Sequence, residues 1–352
     1  MEKLLKSVSA VVLMAVGAQM PALVYAQGRA PTSAQELVSY QGPDRHDRLV
    51  EAAKKEGDLS VYHAYPQLTA VTEAFSKKYG IKVKTWRSGS EAILRRIGTE
   101  ANAKRFEVDI VQNNAPENEA AHREKLLRPV TSPHFQDLMP AAVPAHKEWV
   151  GITVDVFTAA YNTTKVSKEE LPKSYEDLLN PKWKGRLGIE AEDHHWFNAL
   201  TESMGEQKGI NLFKNIAATN GLSVRKGHST LTSLVVTGDV PLALTVYSWN
   251  PAQAKEKGAP IERLDLQPIV GQFSTVAMLK NAPNPATAAL FYDFMLTEGQ
   301  RILAEKDFVA TSKKFPSHYT SNPLKLIEPA RVLDNHEKWV KTYQEVINVK
   351  AN

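Results

Sequence analysis

The sequence predicts an α/β protein of two lobes that meet at a cleft. Strand and helix patterns alternate from Gly57 to Asn113, a second run of the same grammar follows from Val156, and no repeat at a fixed period appears. Roughly 325 residues remain once a leader is set aside, enough for two domains with substantial cores.

The leader is read over 1–26. Lys3 and Lys6 precede an uncharged run from Ser7 to Ala26, and Val24-Tyr25-Ala26 stands before an expected cut at Gln27. A basic start, a short apolar centre and small residues at the cut describe a secretory signal, so the mature protein is expected to be exported. Gln19 and Pro21 interrupt the apolar part, which argues against a retained anchor. Without cysteine, the chain is neither a lipoprotein acylated at cysteine nor a disulfide framework. The formal charge is +4 over 352 residues, with acidic and basic side chains interspersed. Nucleic-acid binders concentrate charge in a patch or arm, so no nucleic-acid partner is expected. The weak positive balance does not repel an anionic ligand.

The elements follow in order. Helical spacing runs from Leu49 to Gly57, then "LSVYHAY" reads as a strand. Val71 and Phe75, four apart, mark an amphipathic helix, and "GIKVKTW" alternates as a half-buried strand. After "RSGS", the stripe of Ile93, Leu94 and Ile97 marks a helix, and "EVDIVQN" supplies another strand. In the second run "VFTAAYN" is a buried strand, "LPKSYEDLLNPKWKGRLGIE" is turn, helix, turn and strand, and Trp196 to Lys208 is a helix. Helices over Ile210–Thr219 and Thr230–Thr237 flank "GLSVRKG", and "PLALTVY" and "FSTVAMLK" are strands. "NPATAALFYDFMLTEGQRILAEK" is a helix pair punctuated by Gly299.

Two loops suit an oxygen anion. Ser88-Gly89-Ser90 precedes the helix at Glu91, and Gly227-His228-Ser229-Thr230 precedes the helix near Leu231. Free N–H groups and the positive helix end attract the anion, and Arg87, Arg225 and Lys226 are near in sequence. The same residues also serve as ordinary helix caps. In "IEAEDHHWF", Asp193 suits a helix cap, and adjacent His194 and His195 are expected to point apart rather than grip one metal. No HExxH or similar ligand pattern occurs, so no metal and no cofactor are expected. Ser88 and Ser90 lack a GxSxG elbow, and Glu190 and Glu192 suit either acid–base work or a solvent-facing strand edge, which leaves an exported hydrolase as an alternative.

Six phrases in order carry a resemblance: "GDLSVYHAY", "WRSGSEAILRRIGTEANAKRFEVDIV", "AAYNTTKV", "LPKSYEDLLNPKWKGRLGIEAEDHHWF", "VRKGHSTLTSLVVTGDVPLALTVYSWNPAQAKEKGAP" and "FYDFMLTEGQRILAEKDFVATSKK". From about Gly57 to Lys314 the chain resembles the type 2 periplasmic solute-binding proteins of bacterial ABC importers, in the group of ferric-iron, thiamine and aminoalkylphosphonate binders. The resemblance implies a two-lobed periplasmic binding protein with a central ligand cleft and two interlobe crossings. Lobe 1 would comprise 27–157 with about 265–315, and lobe 2 would comprise 162–262 with part of 316–352. The crossings would lie at about 157–162 and 261–273. It further implies a non-enzymatic, monomeric receptor in the periplasm that closes on a small anionic solute and delivers it to an inner-membrane ABC permease with its ATPase. The ligand-touching positions it implies are His63, Ala64 and Tyr65, then Ser88, Gly89 and Ser90. From the other lobe come Asp193, His194 and Trp196, then Lys226, Gly227 and His228, and finally Tyr247. Ferric binders in the group carry two adjacent tyrosines at this last point; here the pair is Tyr247 and Ser248. Ferric iron or a ferric complex therefore stands as the alternative ligand.

Overall fold

In the computed structural model, which describes residues 31, 33–320 and 324–348, helix α1 (Ala34–Leu37) leads into α2 (Arg45–Glu56). The expected leader, 1–26, lies outside the described residues. Leu49 and Ala53 of α2 are four apart and both point inward. Buried Arg45 pairs with Asp293 at 2.9 Å and donates to the carbonyls of Leu37 and Tyr40, closing the end of α1 onto the domain. Next come β1 (Leu59–His63), α3 (Leu68–Tyr79), β2 (Val83–Arg87), α4 (Ser90–Asn102), β3 (Ile110–Asn114) and α5 (Ala115–Arg123). β1 pairs in parallel with both β2 and β3. Parallel neighbours need crossovers, and α3 and α4 supply them.

After β4 (Leu127–Arg128), strand β5 (Trp149–Asn162) is buried at every position. The sequence marks only its second half, from Val156, because continuous burial removes the alternation that would show where it begins. The chain continues through β6 (Leu187–Glu190), α6 (His194–Met204), α7 (Glu206–Asn220), β7 (Ser223–Arg225), α8 (His228–Thr237) and β8 (Leu242–Tyr247). It then forms α9 (Trp249–Glu256), β9 (Ile261–Leu264), β10 (Val270–Leu279), α10 (Pro285–Phe294) and α11 (Gln300–Ala304). β11 (Val309–Ala310), β12 (Lys325–Leu326), α12 (Pro329–Asp334) and α13 (His336–Ile347) complete it. Among the described residues no helix is long and apolar enough to cross a membrane.

The strands join one sheet, whose main order is β2-β1-β3-β10-β5-β8-β6-β7. β5 is antiparallel to β10 on one side and to β8 on the other. Two main hydrophobic cores flank this centre. The first gathers Leu59, Val61, Phe75, Ile110 and Phe291, and the second gathers Ile189, Phe197, Phe213 and Tyr343. β5 contributes Val156 to the first core and Phe157 to the second, while β10 contributes Phe273 to the first and Val270 to the second. Both long strands therefore run from one core into the other.

The position of α6 is set by a close helix contact. A Cβ at Gly209 of α7 would lie 2.8 Å from the Thr201 backbone of α6, so only hydrogen fits there. Gly209→Ala is expected to destabilise the protein by about 1–3 kcal/mol, read from urea unfolding, because the helices must separate. An unchanged midpoint would show that the contact relaxes freely.

Candidate functional site

Between the two cores lies a cavity of about 460 Å³. Helices α4, α6 and α8 begin on its wall, at Ser90, His194 and His228, and α5 reaches it with its N-cap Asn114 and first-turn Glu117, because each follows directly on the end of a strand or the loop after it. The wall takes Ala64, Tyr65, Ser88, Gly89 and Ser90 from one side. Asp193, His194, Gly227, His228 and Tyr247 line it from the other.

On the first side, loop shape comes from buried amides. Gln112 Oε1 accepts from the N–H groups of Ala64 and Tyr65 at 2.9 and 3.0 Å, and its Nε2 donates to Ser274. The Tyr65 hydroxyl lies 2.6 Å from Thr153 Oγ1 and donates to Asp155 Oδ1 at 2.6 Å. Burial raises Asp155 to about 6 even though it accepts from Tyr65 and from Trp249 Nε1. Ser88 N–H is taken by the His63 carbonyl at 3.1 Å. Gly89, the N-cap of α4, offers no side chain to the first N–H groups of that helix, so they remain available on the wall. Glu117, in the first turn of α5, is pushed up to about 8 by burial, which makes it a neutral hydrogen-bond donor at neutral pH.

On the second side, Glu190 ends β6. One carboxylate oxygen accepts from Gly227 N–H at 2.8 Å, the other accepts from Glu192 N–H, and burial with the nearby Asp193 charge lifts it to about 7. Gly227 sits at φ 91, a left-handed conformation that favours glycine, and again leaves the α8 N-terminus without a side-chain cap. Asp193 stands at the N-cap of α6, as expected, and its carbonyl accepts from Phe197 N–H at 3.0 Å, but its side chain makes no capping bond. Its carboxylate instead lies 3.2 Å from His228 Nε2. Burial alone would lower His228, but the charge and hydrogen bond of Asp193, with Glu190 and Asp155 behind, raise it to about 9. His228 is therefore an imidazolium at neutral pH. Its ring lies 3.9 Å from that of Tyr247, which stacks in turn on Trp249 at 6.0 Å. The Tyr247 hydroxyl accepts from Gln272 Nε2 at 2.9 Å.

Three expected positions lie off the cavity wall. His63 is buried with Nδ1 2.7 Å from the Tyr65 carbonyl, a local bond that holds its ring behind the loop. Trp196 is 1 % exposed and packs edge-on against Phe213 at 5.7 Å, so the apolar core has claimed it. Lys226 points to solvent and meets Glu192 at 2.5 Å. The adjacent histidines also differ from expectation. The rings of His194 and His195 lie 4.1 Å apart rather than diverging, since both stay buried at the start of α6. The wall also holds Glu117, Phe157, Glu190, Trp249 and Gln272, which the sequence reading did not propose as ligand contacts. Trp249 was legible in the quoted "YSW" run, two residues after Tyr247. Glu117 and Gln272 carry no local signal, because only folding brings them to the cavity.

Residues 110–334 match the pattern that defines the family described as bacterial extracellular solute-binding protein. The chain belongs to that family. Its members capture solutes for ABC importers. Among relatives, the Fe(3+)-binding periplasmic protein of Serratia marcescens is 28% identical over 206 residues, 57% of this chain and 60% of that protein. The major ferric iron-binding protein of Neisseria meningitidis serogroup B is 27% identical over 272 residues, 72% of this chain and 81% of the relative. The solved structure of iron-bound HitA from Pseudomonas aeruginosa superposes with a TM-score of 0.70 at 25% identity, covering 82% of this chain and 99% of HitA. AfuA from Actinobacillus pleuropneumoniae, solved with fructose-6-phosphate, gives 0.71 at 22% identity, covering 83% and 99%. These likenesses agree with the two-lobed periplasmic binding protein architecture expected from the sequence.

Proposed function

We propose that this solute-binding protein works in the periplasm as a monomer that binds a small organic anion without turnover and passes it to an ABC permease. The observation that carries the ligand class is the convergence of four helix N-termini on one cavity, none of them capped by a side chain. Their N–H groups and positive ends favour an oxyanion, and the His228 imidazolium and Arg87 add charge. Carboxylates on the wall oppose this less than their number suggests. Glu117 is protonated at neutral pH, Asp193 is paired with His228, and Glu192 with Lys226. Tyr247, Trp249 and Phe157 supply an apolar face for the body of the solute. The places where β5 and β10 pass between cores, near Phe157 and Val270–Phe273, serve as hinges, and closure about them encloses the solute.

A second ligand, ferric iron, is favoured by one local feature and by the likeness to ferric iron-binding relatives. Glu190, Asp193 and His228 each offer a ligand atom within 4.8 Å of the others, beside Tyr247. Ser248 stands where a second tyrosinate would bind, and it is buried with its N–H given to Val156. The test is a thermal-stability screen of refolded, ligand-stripped protein against phosphonates, phosphate esters, carboxylates and ferric citrate. At a hundredfold excess over Kd, a true ligand adds about 2.7 kcal/mol and raises the midpoint by several degrees. An organic anion is expected to do so. A one-to-one visible phenolate band with ferric citrate, lost in Tyr247→Phe, would instead establish iron, and steady conversion of any solute would establish an enzyme.

A further inference from the structure

A second cluster sits at the edge of the cleft, where the start of α6, whose His194 and His195 also line the cavity wall, meets the start of α13. His194, His195 and His336 each offer a ring nitrogen, and the three atoms lie within 4.8 Å of one another. The His336 ring stands 5.1 Å from that of His194 and 6.1 Å from that of His195. His194 and His195 are 6 and 8 % exposed. Nε2 of His194, Nε2 of His195 and Nδ1 of His336 are buried and, among the described residues, have no hydrogen-bond partner. Buried polar nitrogens are nearly always satisfied, so three orphans gathered in one place imply a shared partner. Neither other histidine-bearing cluster gathers three such nitrogens: one has only His146 Nε2 so placed, and the other has His228 Nδ1 with an oxygen of Asp193. Around Glu119, His122 and His146, the carboxylate accepts from Trp149 Nε1 at 3.0 Å, and His122 Nδ1 is 2.7 Å from Glu148. Around Glu190, the histidine and Asp193 neutralise each other.

We propose that His194, His195 and His336 form a binding site for a divalent transition-metal cation of the zinc type, which ties α6 to the C-terminal helix α13. Three imidazoles form a donor set suited to zinc and its neighbours, whereas ferric iron prefers oxygen. A tetrahedral zinc with bonds of about 2.0–2.1 Å holds its nitrogens ~3.3 Å apart, which small ring rotations from the present spacing reach. Glu91 and Glu117 line a second cavity together with His195 and His336. Glu91 is placed to fill the fourth position or to offset the cation's charge, which the two helix N-termini oppose. The α13 contribution makes the site long-range, since His336 is far from His194 in sequence. Such a tie also fixes the end of α6 that forms part of the solute cleft.

The test uses chelator-stripped protein titrated with zinc and, for its visible bands, with Co(II). One equivalent per chain is expected, with the ligand-field spectrum of a low-coordinate nitrogen site and a raised thermal midpoint. His336 is only half-buried and lies outside the solute cavity, so His336→Ala is expected to fold and to bind metal at least ~100-fold more weakly. His336→Gln serves as a size-matched second variant with the same expected loss. Solute binding by both variants separates failure of this site from failure of the cleft reading. Absence of a one-to-one complex overturns the proposal. So does full-strength binding in both His336 variants, or binding lost only in His122→Ala or His228→Gln.

Discussion

Asp193→Asn is expected to cost about 3 kcal/mol of folding stability at pH 6 and almost nothing above pH 9. The reason is the buried pair with His228, whose folded pKa is raised from 6.5 to about 9. A raised histidine contributes stability that is fully present below its unfolded value and lost as pH rises through its folded value. Removing Asp193 lets burial pull His228 down, so the variant lacks that contribution wherever His228 would have been charged. Glu117, also raised, loses stability as pH climbs through 8, but it does so in both proteins and cancels in the difference. Urea unfolding of the two proteins from pH 6 to pH 9.5 measures this directly. A loss that stays constant across the range would mean that Asp193 acts through packing alone. His228→Gln should flatten the wild-type curve over the same interval. Affinity for an organic anion should likewise fall in the wild type as pH rises through 9, where the imidazolium is lost.

Trp196→Ala is expected to destabilise the protein by about 3–5 kcal/mol while leaving solute affinity of the folded fraction within about twofold. The side chain is one of the largest that is fully buried, wedged between Tyr175 and Phe213. Its removal leaves a cavity that the rigid second core cannot fill. Tyr247→Phe should behave in the opposite way. It deletes the oxygen that Gln272 bonds at the cavity wall, with a small stability change and a measurable loss of solute affinity. Trp196→Phe, which keeps an aromatic ring in the pocket, guards against a variant that fails to fold. If Trp196→Phe lost solute affinity as strongly as Tyr247→Phe, the indole would be a ligand contact after all.

The contrast between these two aromatic residues shows where the sequence stopped being informative. Both stand next to loops that face the cavity, and both are read from the same kind of local phrase. Tyr247 ends an apolar strand, so its position at the cavity mouth follows from strand geometry. Trp196 is the third residue of α6, and which way a helical side chain faces depends on where the neighbouring helix packs. The contact of Gly209 with Thr201 settles that. Lys226 is a similar case. Its charge suggested an anion contact, but a long flexible chain on an exposed loop finds the nearest carboxylate, Glu192.

What the sequence determined by itself was local and periodic. The strand and helix order, the glycine-rich starts of α4 and α8, and the departure at Ser248 from a paired-tyrosine motif are all properties of neighbouring residues. Apolar periodicity encodes the element order directly, the glycines are read from the residues themselves, and the tyrosine pair that Ser248 lacks is what the family resemblance implies. Tertiary structure alone decided which charges survive and which nitrogens meet. His228 becomes an imidazolium because Asp193 and Glu190 arrive from β6 and the start of α6, and Glu117 becomes neutral because the fold buries it. His336 reaches His194 and His195 because α13 packs on α6. Desolvation and long-range proximity act through three-dimensional distance, which a linear order of residues does not contain.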